Sequence, residues 1–442
     1  MTNNQPDPDV LFYQSRTRLP VIDRAEGISI WDEEGKEYID GCSGAMICNI
    51  GHSHPRILEA VNRQAKFSFF AYRTQFENRP ALNLAQALVQ EMPDGLSRVF
   101  FVSGGSEAVE SALKICRQYY WHTGQQGRHI FISRKPSYHG ASMGALSMTS
   151  YAPLEIPFRP MFQAYPKIPA PYCYRCPYHT TYPECGLECA RALEKTILEQ
   201  GPESVAAFVV EPIGGASTGA LVPQDEYFAV IQDICHKYKI MLILDEVMTG
   251  FGRTGSMFAL EHWDVNPDIV ALSKGMGSGY IPLGGVVTRK EIVDPILAGG
   301  GFMHGFTSAG NPMACAVGLE VLNIIKEEDL AANARDRGKE LLSGLRFLAQ
   351  RHPIIGQVRG KGLLTAIELV QDLDTRTPFP PEKGMNSLLT REASRQGLII
   401  YPRRPINGLR GDHVLIAPPL IVSKEQVQEI LLRLDRALGR VL

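Results

Sequence analysis

The sequence predicts an α/β protein with a mostly parallel sheet wrapped by helices, followed by a smaller α+β domain. Between about residues 98 and 288, short continuous apolar runs alternate with segments of helical periodicity. Strands that are covered on both faces require such runs, and their alternation with helices is typical of a parallel sheet. Beyond about residue 330 the pattern changes to charged helical stretches around short strands.

Each element of the large sheet follows from the local pattern. The first predicted helix, residues 106–120, places apolar side chains such as Val109, Leu113 and Cys116 on one face. A second helix is predicted over 226–238 and carries Phe228, Ile231 and Ile234 on one face. The predicted strands are 98–103, 129–133, 205–211, 240–246, 269–274 and 284–288.

The ends of the chain predict the smaller domain. "ISIWDEEGKEYID" has the pattern of a hairpin, and "GLLTAIEL" reads as a strand. Charged helical stretches are predicted at 326–351, 383–397 and 424–440. We therefore expect an N-terminal segment, 1–65, that joins the small domain, a large domain over 66–330 and a C-terminal small domain over 331–442.

The composition excludes several classes of protein. The chain has 442 residues, of which 44% are apolar and 21% charged, with a net charge of -2. A chain without a basic excess is not expected to bind nucleic acid or an anionic membrane in a general way. The first twenty residues lack the pattern of a secretion signal, and no apolar run reaches the roughly 18 residues of a membrane span. The composition predicts a cytoplasmic protein.

Nine cysteines, an odd number in a long chain, do not suggest a secreted disulfide framework. Four of them cluster in "CYRCPYHTTYPECGLEC" as Cys173, Cys176, Cys185 and Cys189. We expect a surface loop with reduced thiols and no metal. The spacing is close to that of structural zinc sites, so zinc stays the open alternative.

Polar residues stand where the predicted strands end. Ser103, Glu211, Asp245 and Lys274 occupy these positions, and ligands of a parallel α/β sheet bind beyond the carboxyl ends of its strands. "VSGGSEAVE" puts two glycines and Ser106 between a strand and a helix start, where backbone N–H groups form an anion site. No Walker loop is present, and "GMGSG" lacks the dinucleotide spacing.

A phosphate site, a carboxylate and a lysine together indicate pyridoxal phosphate. The phosphate anchors this cofactor, a carboxylate at Asp245 keeps its ring nitrogen protonated, and Lys274 binds it covalently. Burial beside another cation lowers the pKa of a lysine and makes the amine nucleophilic. Glycines after Lys274 allow the backbone to approach the cofactor closely.

Longer motifs then identify a family resemblance. "LILDEVMTGFGRTG", "DIVALSKGMGSGYIPLGGVV", "FVSGGSEAVESALK", "YHG", "VVEPI", "GFTSAGNPMACA" and "GDHVLIAPPLI" resemble the class III (omega) aminotransferases. These belong to the fold-type I enzymes that use pyridoxal phosphate, with a seven-stranded type of sheet. The resemblance runs from about residue 20 to the C-terminus, in the family's order.

The resemblance implies a role for each matching residue. Lys274 is the catalytic lysine that carries the cofactor, and Asp245 pairs with the ring nitrogen. Thr307 resembles a threonine that reaches the phosphate from a neighbouring subunit, although it also suits the N-cap of the following helix. The other implied cofactor-binding residues are Gly105 and Ser106 for the phosphate, Val247, Tyr138 and His139 around the ring, and Glu211 near its phenolic oxygen.

The substrate residues follow from the resemblance less directly. Met46 stands in "DGCSGAMICNIGHSHP", which aligns with the segment that lines the family's substrate pocket, and Tyr72 is a second candidate. Ordinary core or interface packing is the alternative for both. Arg410 is expected to bind the carboxylate of the keto acid and to swing away for the amine. Arg403 and Arg404 in "YPRRP" are its competitors.

The function implied is the transfer of an amino group from a primary amine or omega-amino acid to a keto acid, pyruvate or 2-oxoglutarate. The reaction is ping-pong, and the shared active site needs a homodimer, or a tetramer built from such dimers. The same cofactor scaffold also supports racemases or epimerases, mutases and decarboxylases, which stay the alternative because a fold does not determine function.

Overall fold

A computed structural model of the protein describes residues 10–12, 18–403 and 411–441. Its strands are β1 (Ile22–Glu26), β2 (Ser29–Asp32), β3 (Glu37–Asp40), β4 (Leu96–Val102), β5 (Ile130–Lys135), β6 (Lys167–Pro169), β7 (Val205–Val210), β8 (Met241–Asp245), β9 (Ile269–Leu272), β10 (Gly284–Arg289), β11 (Ile355–Lys361), β12 (Leu364–Leu369), β13 (Leu398–Ile399), β14 (Tyr401–Arg403) and β15 (His413–Ile416).

The α-helices lie between and after these strands. They are α1 (Ser43–Met46), α2 (Pro55–Ala65), α3 (Arg79–Gln90), α4 (Gly105–His122), α5 (Met143–Met148), α6 (Ala152–Glu155), α7 (Glu188–Gln200), α8 (Tyr227–Tyr238), α9 (Lys290–Ala298), α10 (Pro312–Glu327), α11 (Leu330–Arg351), α12 (Met385–Arg395) and α13 (Lys424–Leu438).

The central sheet has seven strands in the order β4-β10-β9-β8-β7-β5-β6. β10 runs antiparallel to both of its neighbours, and the remaining pairs are parallel. β4 therefore points in the same direction as β7, β8 and β9. The residues that follow these four strands meet at one edge of the sheet, which confirms the predicted α/β fold with a mostly parallel sheet.

Continuous apolar runs form this sheet because helices cover both of its faces. Every residue of β7, β8 and β9 is buried. α4 packs against β10 and β9, while α8 packs against β8 and α7. Strands enclosed in this way lose all contact with water, which explains why they lack the apolar–polar alternation of half-exposed strands.

Two smaller sheets come from the ends of the chain. The predicted hairpin is present as β2 and β3, and the order of its sheet is β1-β2-β3-β13. β13 pairs parallel to β3, with Leu398 opposite Ile39, so the C-terminal part of the chain extends the N-terminal sheet. The third sheet has the order β11-β12-β15-β14, and α11 packs on it. The three-part division of the chain at residues 65 and 330 stays a prediction.

One predicted helical stretch, 326–351, was wrong at its start. α10 ends at Glu327 and α11 begins at Leu330, because Asp329 adopts a left-handed backbone with φ 47°. Asp tolerates this conformation better than most residues. The charged pattern continues across the break, and the sequence therefore gives no sign of it. Within the residues that the structure covers, no helix combines the length and the apolar character needed to cross a membrane.

Arg253 joins three parts of the chain that lie far apart in sequence. Its side chain is fully buried, and burial lowers its pKa to about 10, so that it stays charged at neutral pH. The guanidinium donates to carbonyl groups of the C-terminal part and to side chains of the N-terminal segment. Its acceptors are the carbonyls of Leu363 (3.2 Å), Ala417 (3.2 Å) and Pro418 (2.6 Å), Ser43 Oγ (3.0 Å) and Asn49 Oδ1 (2.9 Å).

Arg253→Met should destabilise the fold by about 2–5 kcal/mol, because it fills the volume of the stem but leaves several buried acceptors without a donor. Urea unfolding followed by tryptophan fluorescence measures the loss. Arg63→Ala is the control, since Arg63 is exposed and lies 4.0 Å from Glu320; its effect should stay within about 0.5 kcal/mol. An Arg253 variant as stable as the Arg63 variant would contradict this account.

Candidate active site

One cavity lies at the carboxyl edge of the central sheet. It brings together eight residues that the sequence analysis assigned to a cofactor, and four that it did not. The first set is Gly105, Ser106, Tyr138, His139, Glu211, Asp245, Val247 and Lys274, and the second is Gly140, Ile213, Met248 and Thr249. The strand-end positions thus converge as the parallel sheet requires.

Lys274 lies two residues beyond the end of β9. Its backbone is left-handed, with φ 44°, which a side chain disfavours by roughly 1–2 kcal/mol. The next residue, Gly275, is packed so tightly that a Cβ there would lie 2.5 Å from Asn49 Nδ2 and 2.8 Å from Phe251 Cβ. Close packing of this kind holds the strained turn in place and aims the lysine at the cavity.

The surroundings of Lys274 favour its neutral amine. The pKa of Lys274 is lowered to about 8, mainly by burial and also by the positive charges of Arg403 and Arg253. The carboxylates of Asp245 and Glu211 act in the opposite direction and raise it. Burial outweighs these carboxylates, so that a substantial share of the amine is unprotonated in mildly alkaline solution.

Asp245 is held by two hydrogen bonds at the end of β8. His139 Nδ1 lies 2.8 Å from Asp245 Oδ2, and the backbone N–H of Val247 donates to Oδ1 over 3.1 Å. Since an ionised carboxylate only accepts, Nδ1 is the protonated nitrogen of this imidazole. The backbone N–H of His139 donates to Thr149 Oγ1 over 2.9 Å. These contacts fix the orientation of a buried carboxylate that faces the cavity.

Glu211 is a second buried carboxyl group, next to the end of β7. Burial raises its pKa, although the positive charges of His139 and Arg134 and the N–H of Gly215 act against this. Gly215 donates to Oε1 over 2.8 Å, and Tyr138 donates its backbone N–H to Oε2 over 3.4 Å. Arg134 also donates to the carbonyl of Glu211. The group is therefore fixed in place but is less acidic than an exposed glutamate.

The N-terminus of α4 opens into the same cavity. Gly104 is the N-cap, and Gly105 and Ser106 form the first turn, in which backbone N–H groups lack helical partners. A Cβ at Gly105 would lie 2.8 Å from Val247 Cγ1, so glycine permits this close approach. Ser106 Oγ accepts a hydrogen bond from the N–H of Ala141 over 3.0 Å. Free N–H groups at the positive end of a helix dipole suit an anion such as phosphate.

Three of the predicted residues are not brought to this cavity, and a fourth lies outside the described residues. Thr307 is exposed in the turn before α10, and the N-cap of that helix is Asn311, whose side chain accepts from Ala314 N over 3.0 Å. The alternative role of Thr307 as a helix cap is therefore wrong. Met46 is buried in the hydrophobic cluster that contains Ile213, and Tyr72 is 38% exposed. The fourth residue, Arg410, and its competitor Arg404 lie outside the described residues.

The residues that sequence reasoning missed follow the predicted ones closely along the chain. Ile213 comes two residues after Glu211, and Met248 and Thr249 come three and four residues after Asp245. A search of the four positions beyond each strand end would have found them. Their types carry no signal of their own, since an apolar wall and an apolar core look alike in a sequence.

Comparisons with known proteins agree with this geometry. The family model described as "Aminotransferase class-III" matches residues 13–438. The putrescine–pyruvate aminotransferase of Pseudomonas aeruginosa is 37% identical over 412 residues, which cover 93% of this chain and 88% of that protein.

The chain is also similar to two solved structures. One is a thermostable (S)-enantioselective omega-transaminase from Thermomicrobium roseum, with a TM-score of 0.91, 39% identity and coverage of 97% of this chain and 94% of the other. The second is an amine transaminase from an uncultivated Pseudomonas species in a PLP-bound form, with a TM-score of 0.92, 35% identity and coverage of 99% and 100%.

The low pKa of Lys274 should make stability depend on pH. Between about 8 and 10.5 the unfolded chain binds a proton at this lysine and the folded protein does not, so the stability of the folded protein rises with pH across this window. Lys274→Met removes the titration, and its stability relative to wild type should be highest near about pH 7 and fall towards about pH 10. Urea unfolding of the ligand-free proteins at several pH values measures the difference.

Lys195→Met is the matched control, because Lys195 is a largely exposed lysine on α7. Its stability difference from wild type should stay flat across the same pH range. A flat difference for Lys274→Met as well would show that the amine of Lys274 titrates as an exposed lysine does.

Proposed function

This chain belongs to the class-III aminotransferases, and we propose that it moves an amino group from a primary amine or an omega-amino acid to pyruvate or 2-oxoglutarate. The observation that carries the proposal is the position of Lys274, an amine with a pKa of about 8 that shares one cavity with Asp245 and the N-terminus of α4. The similarity to a putrescine–pyruvate aminotransferase and to an omega-transaminase supports donors of this class.

The family uses pyridoxal phosphate, and the residues of the cavity fit this cofactor in three respects. The first turn of α4 offers N–H groups and Ser106 to a phosphate, and the absent Cβ of Gly105 leaves the space that a close approach needs. Asp245 offers a fixed carboxylate to the ring nitrogen, and Lys274 offers a neutral amine. When bound, the cofactor supplies an aldehyde group for the amine and a ring that withdraws electrons from the substrate carbon.

The residues of the chain then divide the work. Lys274 Nζ is the group that takes the proton from the substrate carbon next to the nitrogen, for which an amine with a pKa near the working pH is suited. Asp245 would accept a hydrogen bond from the protonated ring nitrogen, and His139 orients this carboxylate through the 2.8 Å contact. Tyr138 and Val247 line the cavity and would pack on the two faces of the ring. Glu211 lines it as well and would face the phenolic oxygen.

The second substrate needs a cation for its carboxylate. Arg410 remains our proposal for this role, and Arg403 is the competitor that the structure describes. Arg403 is half-buried at the end of β14, donates to the hydroxyl of Tyr401 over 2.7 Å and lies over the ring of Tyr151 at 5.7 Å. The positive charge of Arg403 acts on the cavity, since it helps to lower the pKa of Lys274.

A homodimer, alone or within a tetramer, is supported by an apolar surface beside Thr307. Phe67, Phe69 and Phe76 are among several large side chains that the segment between α2 and α3 leaves exposed. Asn311 donates to the carbonyl of Phe69 over 2.9 Å and so ties this segment to the turn that contains Thr307. Monomeric proteins rarely expose such a patch, and a second copy of the chain would cover it. The cytoplasmic location stays a prediction from composition.

The reaction type can be tested with the purified holoenzyme. With a primary amine alone, about one equivalent of carbonyl product should form per active site, and turnover should continue only when a keto acid is added. Lys274→Ala should lose several orders of magnitude of turnover, whereas Lys195→Ala should match the wild type. Continuous conversion of the donor without any keto acid would favour the racemase, mutase or decarboxylase alternative.

The role of Lys274 has an independent chemical test. Borohydride reduction of the holoenzyme should fix the cofactor on the peptide that contains Lys274, as peptide mass spectrometry would show. Recovery of the cofactor on any other lysine would overturn the assignment of Lys274.

Arg410→Ala should weaken the use of the keto acid by about 1.5–3 kcal/mol, the scale of a charge-assisted hydrogen bond. The half-reaction with a simple amine should be spared, because such a donor has no carboxylate to bind. Separate single-turnover measurements of the two half-reactions give both values, and Arg403→Ala is measured alongside. A selective loss in Arg403→Ala with none in Arg410→Ala would transfer the role to Arg403.

A further inference from the structure

Four cysteines surround a second, small cavity that lies apart from the candidate active site. Cys173, Cys176, Cys185 and Cys189 all line it, and all four are free thiols. They come from the segment between β6 and the first turn of α7. Cysteines that only pack in a hydrophobic core usually occur singly and at scattered positions. These four come from one short segment and line one cavity.

Hydrogen-bond donors surround the sulfur of Cys176. The backbone N–H groups of Thr180 and Tyr178 donate to this sulfur. Thr180 Oγ1 lies 3.8 Å from the same sulfur. Donors two and four residues beyond a cysteine stabilise a thiolate, which is the form that binds metal ions.

The other sulfurs also face polar groups or one another. Gln224 Nε2 donates to Cys173 Sγ over 3.4 Å, and the backbone N–H of Ala190 donates to Cys189. Cys173, Cys185 and Cys189 line the same cavity, so that thiolates at these positions would repel one another. A cation in the cavity would remove this repulsion, because it attracts all of the thiolates at once.

We propose that Cys173, Cys176, Cys185 and Cys189 bind one structural zinc ion through four sulfur ligands. Spacings of two and three residues within the pairs suit a tetrahedral site, in which each Zn–S distance is about 2.3 Å. Each thiol gives its proton to solvent as it binds. No three of the four sulfur atoms lie within 4.8 Å of one another, so the side chains need to rotate inward to bind one ion.

A second group of possible metal ligands, closer together, occurs elsewhere in the described part of the chain. Asp40, Cys48 and His52 place their ligand atoms within 4.8 Å of one another. Both oxygens of the Asp40 carboxylate already have partners. Oδ1 accepts from the N–H groups of Cys42 and Gly44, and Oδ2 lies 3.0 Å from His52 Nε2. The positive charge of the buried Arg253 acts on Cys48 and would repel a metal ion bound there. This set therefore serves as the control and not as the proposed site.

The proposed zinc would stabilise a contact between the cysteine segment and the C-terminal part of the chain. Arg175, which stands between the first two cysteines, forms an ion pair with the buried Glu368 of β12 and donates to the carbonyl of Arg376 over 2.9 Å. Gly411 packs on this pair so closely that a Cβ there would lie 2.5 Å from Glu368 Oε1. The metal would thus hold Arg175 against Glu368 of the C-terminal sheet, without contacting the catalytic cavity.

Metal analysis of the purified holoenzyme tests the site. Protein produced with zinc in the medium and then desalted should contain about one zinc ion per chain by plasma mass spectrometry. Cys176→Ser and Cys185→Ser should lose the metal, whereas Cys48→Ser should keep it. A wild-type protein with only background zinc, iron in place of zinc, or loss of the metal in Cys48→Ser alone would each overturn the proposal.

A second measurement on the wild type keeps the test valid if the serine variants do not fold. Exchange of the metal for Co²⁺ should produce the near-ultraviolet thiolate-to-cobalt charge-transfer absorption, and a chelator should make the four thiols reactive towards a thiol reagent. Cobalt spectra without this absorption would contradict sulfur ligation. Disulfides between these cysteines in the intact protein, detected by mass, would also contradict it.

Discussion

The parallel register of β7, β8 and β9 is the constraint on which the rest of the structure depends. Val210 pairs with Leu244 and Asp245 pairs with Ala271, so the residues after each strand emerge at one edge. A shift by one residue would turn every side chain of a strand to the opposite face. Complete burial of these strands makes such a shift unfavourable, and the positions of the carboxylates and the lysine are therefore as rigid as the core itself.

This rigidity matters because the site depends on balanced charges. Besides burial, which has the largest effect, two carboxyl groups and two arginines act on the pKa of Lys274 in opposite directions, so displacing any of them would change this pKa. Arg253 belongs to both the fold and this balance. It connects the three parts of the chain through neutral acceptors, so no direct carboxylate partner neutralises it in the contacts described here, and its charge still helps to lower the pKa of Lys274. The junction of the three parts and the state of the amine are physically coupled.

The sequence predicted the central sheet, and eight of the residues it assigned to a cofactor line one cavity, because both results depend on local signals. Buried parallel strands are continuous apolar runs, and polar residues such as Glu211 and Asp245 mark their ends. Other features depend on contacts between distant segments and were missed or misplaced. Asn311 caps α10 where Thr307 was a candidate, and the chain breaks at Asp329 within a continuous charged pattern. Met46 is buried in the hydrophobic cluster, although its segment was expected to line the substrate pocket.

This difference between local signals and contacts of distant segments also explains why the cofactor chemistry is easier to infer from the sequence than the choice of substrate. The residues proposed to bind the cofactor come from strand ends and one helix N-terminus, which the sheet orders in space. The cavity wall beyond them includes Ile213 and Met248, which share a hydrophobic cluster with Met46 and with residues of the C-terminal sheet. Arg403 approaches from that sheet as well. The shape and charge of the substrate side therefore depend on how the C-terminal part packs against the large sheet, a property that no single motif encodes.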